Sequence, residues 1–161
     1  GLPIKSAQDW ALGMDVHPGE RVMWITDMGW VMGPLLVFGS LMLGGTAVFY
    51  DGAPDHPNPA RVWAVAERQG VTHLGISPTL TRVLMASGER AVPPTPISAL
   101  RVLASTGEPW TPEAWTWLFS RRDPGVSPGP FPASMPRSST NRVSRSVARW
   151  ASSWFVSHTW G

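Results

Sequence analysis

Ala99-Leu100-Arg101-Val102-Leu103-Ala104-Ser105-Thr106-Gly107-Glu108-Pro109-Trp110-Thr111-Pro112-Glu113-Ala114-Trp115 is the stretch whose reading decides the fold class. Its first six residues form a short apolar strand. Thr111 followed by Pro112 then gives a cap residue and a proline at the first helical position, so an amphipathic helix starts there. A tight turn between a buried strand and a capped helix belongs to a parallel α/β sheet. In such sheets the carboxyl ends of the strands are where ligands are held.

Working back from this turn, short β-prone runs alternate with helical patterns, which is the signature of βαβ units. Arg21 to Thr26 reads as a strand entered through His17-Pro18-Gly19-Glu20. Trp30 to Leu43 reads as an apolar helix crossing to a buried strand, Thr46 to Tyr50. A rigid loop, Asp51-Gly52-Ala53-Pro54-Asp55-His56-Pro57-Asn58-Pro59, leads into a helix from Ala60 to Gln69 that Gly70 ends, and then a strand from Val71 to Ile76. The helix Thr79 to Ala86 stops at Gly88. A proline-containing loop, Val92 to Pro96, precedes the strand Leu100 to Ala104. Right-handed crossovers lay such strands side by side with helices over both faces. The expected fold class is therefore α/β, an incomplete parallel sheet with crossover helices followed by an irregular or disordered tail.

Composition sets the remaining bounds. The 161 residues are 43% apolar and 15% charged, which is globular, but they include 17 prolines, 16 glycines and 10 tryptophans. With no cysteine there is no disulfide framework, thiolate nucleophile or cysteine metal site. The pI near 9.9 suggests nucleic acid. However, Lys5 is the only lysine and half of the arginines lie beyond Ser120, so the basicity belongs mostly to the tail. No charged n-region with a cleavage site opens the sequence, and the expected location is cytoplasmic. Gly29 to Tyr50 has no charged residue and is long enough to span a bilayer, but Gly33-Pro34, Gly39-Ser40 and Gly44-Gly45 interrupt it. A buried helix followed by a buried strand is the expected reading, with no membrane span.

The order of Thr26-Asp27-Met28-Gly29-Trp30-Val31-Met32-Gly33, Asp51-Gly52-Ala53-Pro54, Ser77-Pro78-Thr79 and Ser105-Thr106-Gly107-Glu108-Pro109 resembles the AMP-forming acyl-CoA synthetases, in particular their acetyl-CoA synthetase-like branch. The resemblance covers Asp9 to Phe119. It implies a ligase that joins a carboxylic acid to ATP as an acyl-adenylate and then to CoA, with ATP, Mg2+ and CoA used by the complete enzyme. It also implies residue roles. Gly107, Glu108 and Pro109 match the adenine-contacting turn, and Trp30, Val31, Met32 and Thr106 match the acyl pocket. Asp55 falls where the family makes a polar contact with CoA. Each has a plainer alternative: the triplet joins a strand to a capped helix, Val31 packs in a core, and Asp55 caps its own turn. Met32 stands where the acetate-specific branch has a hydroxyl residue, and Pro34-Leu35 where a histidine is expected, so the acid is left open.

Other groups suggest less. Asp27, a lone carboxylate at a strand end, could be a metal ligand or a base, but such a residue more often caps the following helix or bonds nearby backbone amides. His17, His56, His73 and His158 show no metal-ligand spacing and no paired nucleophile. Gly1-Leu2-Pro3-Ile4-Lys5 fits the start of a helix better than a phosphate loop. The family's magnesium-positioning Thr-Glu motif, ribose-holding aspartate and mobile domain with its adenylation lysine are not found in this sequence. The expectation is thus a partial synthetase core over residues 1–120, without a catalytic or metal-binding residue of its own and inactive alone. Residues 121–161 form an Arg/Ser/Pro-rich tail. One hypothesis for it is a frameshift, since permitted codons for Pro136 to Ser146 let a neighbouring frame spell the missing Thr-Glu motif. Two other classes remain: a binding module whose tail contacts RNA or acidic surfaces, and a protein anchored by Gly29 to Tyr50.

Overall fold

The computed structural model describes residues 1–92 and 97–122, the last four of these by backbone only. The tail from 123 to 161, with its frameshift hypothesis and its RNA-contact reading, lies outside the described residues. The elements are α1 (Leu2–Gly13), β1 (Arg21–Trp24), α2 (Met32–Met42), β2 (Thr46–Val48), α3 (Arg61–Arg68), β3 (His73–Gly75), α4 (Pro78–Ala86), a 3-10 turn (Gly88–Ala91), β4 (Val102–Ala104) and α5 (Pro112–Arg122). Every strand and helix expected from Arg21 onward is present, with strands shorter than the apolar runs that signalled them. Those runs continue past the last ladder pair into the loops that follow each strand.

All four strands are parallel, in the order β2-β1-β3-β4. The chain steps outward from β1 to β2, returns across β1 to β3, and continues to β4. This reversal is the switch point of a doubly wound sheet, and the crevice beyond the carboxyl ends of β1 and β3 is the binding position such sheets create. Strand alternation supplies the two faces. Val22, Trp24, Val102 and Ala104 pack with Trp10, Met14, Leu35 and Leu36 from α1 and α2. Met23, Leu74 and Leu103 point the other way, against Val62, Trp63, Leu84 and Leu118 from α3, α4 and α5.

Close packing explains one sequence detail. A β-carbon on Gly75 would fall 1.9 Å from the Trp24 indole, so the wide Trp24 ring lies flat over β3 only because Gly75 has no side chain. Trp24 in turn meets Trp10 with ring centroids 6.2 Å apart, joining α1 to the sheet.

Two expectations change. The apolar run from Gly29 to Tyr50 resolves into the eleven-residue α2 and then β2, but β2 is an edge strand rather than a buried one, with Thr46 and Phe49 exposed. Phe38, Leu41 and Met42 face outward on α2 as well. Among the described residues no helix is long and apolar enough to cross a membrane.

Candidate functional site

Because the strands are parallel, their carboxyl ends form one rim. Across it lie the loop after β2, carrying Asp55, then the loop after β1, carrying Trp30, then Ser77 after β3, and last the turn Ser105 to Trp110 after β4. At a strand spacing of roughly 4.8 Å, the strands that lead to Trp30 and Thr106 are about 10 Å apart, and β2 and β4, which lead to Asp55 and Gly107, about 14 Å apart.

The turn after β4 is anchored by a carboxylate. Glu108 accepts a hydrogen bond from the Thr79 backbone N–H at 2.8 Å and pairs with Arg82 at 2.5 Å. Arg82 also donates to the Thr79 hydroxyl at 2.7 Å. Thr79 sits in the first turn of α4, where backbone N–H groups lack intrahelical partners. Ser77 caps the neighbouring donor, Leu80 N–H, at 3.1 Å. Glu108 therefore completes the cap of α4 from another loop, and the positive end of the helix favours its charge. Hydrogen bonding from Thr79 holds the Glu108 carboxyl below its ordinary range; burial opposes this and Arg82 reinforces it.

With both Glu108 oxygens turned to α4, the outward surface of the turn is mostly backbone. Gly107 is exposed at φ +107°, a conformation that favours glycine, and the space beside its α-carbon is open. A flat ring can reach the main chain there. The Ser105 hydroxyl is buried with no hydrogen-bond partner, an orphan polar atom at the foot of the same turn. Thr111 then caps α5 through Ala114 N–H at 3.4 Å, and Trp110 meets Trp115 edge-to-face at 5.5 Å.

The loop after β1 divides the predicted acyl residues. Asp27 accepts from Gly29 N–H at 2.7 Å, which fits the backbone-bonding alternative for this residue. This turn leaves Trp30 and Val31 exposed, 71% and 53%, while Met32 opens α2 and is buried with Trp10, Trp24 and Leu36. Asp55 is exposed in a loop braced by Arg61, which donates to the carbonyls of Asp51, Ala53 and His56 and lies 5.0 Å over the Tyr50 ring. Arg61, Arg21 and Arg68 also line a cleft of about 420 Å³ along the outer edge of β2, away from the turn after β4.

At the amino-terminal end of the sheet, charged groups close on one another. Arg101, entering β4, pairs with Asp15 at 2.9 Å and with Glu20. His17 Nε2 lies 3.1 Å from Asp15, and Glu20 accepts from the His17 backbone N–H at 2.8 Å. His73 is buried and donates from Nε2 to the Met14 carbonyl at 3.0 Å, so the neutral ring accepts at Nδ1, 2.8 Å from the Thr72 hydroxyl. Burial holds its pKa below the ordinary value, against the Met14 hydrogen bond and the Asp15 charge.

Sequence reasoning missed Arg82 and this network. Arg82 carried a local signal, being three residues after Thr79 on a helix and hence on its face. Nothing local announced Asp15, Glu20 and Arg101, which are up to 86 residues apart.

The family model described as AMP-binding enzyme matches residues 4–127. The chain belongs to the AMP-binding enzyme family. Within this family, acetyl-coenzyme A synthetases are among the curated relatives. The chain is 40% identical to that of Escherichia coli (strain K12) over 123 residues, 75% of this chain and 19% of the relative. It is 46% identical to that of Pyrobaculum aerophilum over 102 residues, 62% of this chain and 15% of the relative. The chain thus spans about a fifth of the length of these curated synthetases, which are ligases. Among solved structures, acetoacetyl-CoA synthetase from Streptomyces lividans superposes with a TM-score of 0.70 at 32% identity, covering 80% of this chain and 20% of that one. The N-terminal domain of FACL13 from Mycobacterium tuberculosis, at 19% identity and a TM-score of 0.62 over 75% of this chain and 29% of that one, shares the fold.

Proposed function

We propose that this chain, an AMP-binding family member, supplies the adenine-facing turn and one wall of the acyl site of an AMP-forming acid–thiol ligase. The ligase uses a small carboxylic acid, ATP and CoA. The observation that carries this reading is the turn Gly107-Glu108-Pro109: its carboxylate is committed to α4, so its exposed backbone beside the switch-point crevice is free for a flat base.

When bound, ATP would supply the adenylyl group that turns a carboxylate oxygen into a leaving group. The residues of this chain orient and enclose rather than react. Gly107 and Pro109 present the base-binding edge, while Trp30 and Val31 stand on the opposite side of the crevice as an apolar wall. Such a wall discriminates acyl length by only about 1–3 kcal/mol per methylene. Asp55, from the loop after β2, is the candidate contact to CoA. Among the described residues no three His, Asp or Glu side chains converge on a metal site. No step through magnesium is assigned to them. On this reading residues 1–161 bind adenine without activating an acid.

Titration with AMP and with guanosine monophosphate, followed through backbone amide shifts, tests the reading. AMP should move Gly107, Glu108 and Ser77 while the guanine nucleotide moves them much less. Equal responses, or shifts confined to the cleft beside β2, would remove the turn from the adenine site.

A further inference from the structure

We propose that Arg82 is a positioning residue for nucleotide binding, acting through Glu108 to hold the turn after β4 in its base-presenting shape. The inference rests on the adenine reading of that turn and assigns a role to a side chain that the reading itself does not use.

The turn needs a tether. Its tip, Gly107, has an unrestricted backbone and no packing beside its α-carbon. Glu108, next to it, reaches α4 with both oxygens: one on the Thr79 N–H, the other on Arg82. Arg82 closes a triangle by bonding Thr79 Oγ1 as well, so one guanidinium fixes both the acceptor and the helix turn it caps. Thr79 and Arg82, three apart, share a helix face, and the planar guanidinium holds its two contacts in fixed directions.

The same geometry says that Arg82 contributes little to holding the fold. Its side chain is 40% exposed and that of Glu108 30%, a setting in which ion pairs are weakened by solvent. Helix α4 is secured independently by buried Leu80, Thr81 and Leu84, and by the Thr81 hydroxyl donating to the Ser77 carbonyl at 3.1 Å. Removing Arg82 leaves that packing intact and leaves Glu108 held by the Thr79 N–H without the guanidinium, so the turn is tethered through one oxygen instead of two. The loosened turn then samples shapes in which Gly107 no longer faces the crevice, and binding weakens by the fraction of time it is misplaced.

Adenosine is the probe of choice, because it has no phosphate for Arg82 to attract directly. Its affinity for the full 161-residue chain is measured for the unaltered protein, Arg82→Ala, Arg82→Lys and Glu108→Gln, together with amide exchange along the chain. Arg82→Ala should weaken adenosine binding by roughly threefold to tenfold and raise exchange at Gly107 and Glu108 while leaving α4 and α5 protected. Arg82→Lys should recover part of the loss, and Glu108→Gln should lose about as much as Arg82→Ala. If Arg82→Ala fails to fold, the other two variants decide: binding unchanged in Glu108→Gln would overturn the proposal. Unchanged adenosine affinity in a folded Arg82→Ala overturns the positioning role alone. Absence of adenosine binding by the unaltered chain overturns the adenine reading and this inference with it.

Discussion

Two glutamate–arginine pairs sit at opposite ends of the same four strands, and they behave differently. At the amino-terminal end, Glu20 is nearly enclosed, 13% exposed, and joins Arg101, the His17 backbone and the surroundings of buried His73. At the carboxyl end, Glu108 and Arg82 are both substantially exposed and bind only one helix turn. The first pair ties the α1–β1 connection to β3 and β4. The second holds the turn after β4 to α4 alone, through Thr79 and Arg82. One end of the sheet is therefore consumed in holding the fold, and the other keeps backbone and apolar surface available, as expected where parallel strands present a ligand site.

The contrast can be broken from either side. Glu20→Ala should have the largest effect on stability, about 1–2 kcal/mol in a denaturant titration, because it takes the acceptor from the His17 backbone N–H and leaves Arg101, 40% exposed, with Asp15 as its carboxylate partner. A loss below about 0.5 kcal/mol would show that the amino-terminal end is as loosely held as the other. Acid should reveal the same end next. His73 has a folded pKa below its ordinary 6.5, so its contribution is intact above that value. As the pH falls below 6.5 the unfolded chain takes up a proton first, and stability declines until the folded pKa is reached. His73→Gln, which keeps a donor for Met14, should flatten this decline in melting curves taken between pH 7 and 5.

Glu108 titrates in a lower window. Its folded pKa lies below 4.5, so its contribution persists above 4.5 and fades as the pH falls through the folded value. Glu108→Gln should cost at most about 1 kcal/mol of stability, since the pair is partly solvated. Its clearer effect should be on adenosine affinity, so a large stability loss without a binding change would reverse the contrast between the two ends. The smallest expected effect is that of Trp30→Ala. With the indole 71% exposed, unfolding free energy in a denaturant titration should stay within about 0.5 kcal/mol, and a larger loss would place Trp30 in the core rather than on the rim.

Much of the framework was legible in particular residues. Thr111-Pro112 marked a helix start, and Thr111 does cap; the start of α4 at Pro78, capped by Ser77, was read one residue late, at Thr79. The β-prone run Arg21 to Thr26 marked a strand, but since Val22, Met23 and Trp24 are all apolar, the helices each one faces appear only in the fold. The strand runs gave the number and direction of strands but not their order, because a two-residue period says which side chains share a face and nothing about which strand lies alongside. Trp30 and Met32 looked equivalent as apolar residues after a strand. The helix that starts at Met32 turns one inward, while the Asp27 turn leaves the other on the rim.

The sequence alone determined an α/β chain with parallel strands, capped helices and a Gly107-Glu108-Pro109 turn at a strand end, because caps, turns and alternation are local consequences of backbone geometry. Only the tertiary structure decided that β1 lies between β2 and β3, that Glu108 points into α4 rather than the crevice, and that Arg101 binds acids 86 and 81 residues before it. Those outcomes depend on which faces the crossover helices cover and on which distant charges are brought together, and neither is encoded in any short stretch of chain.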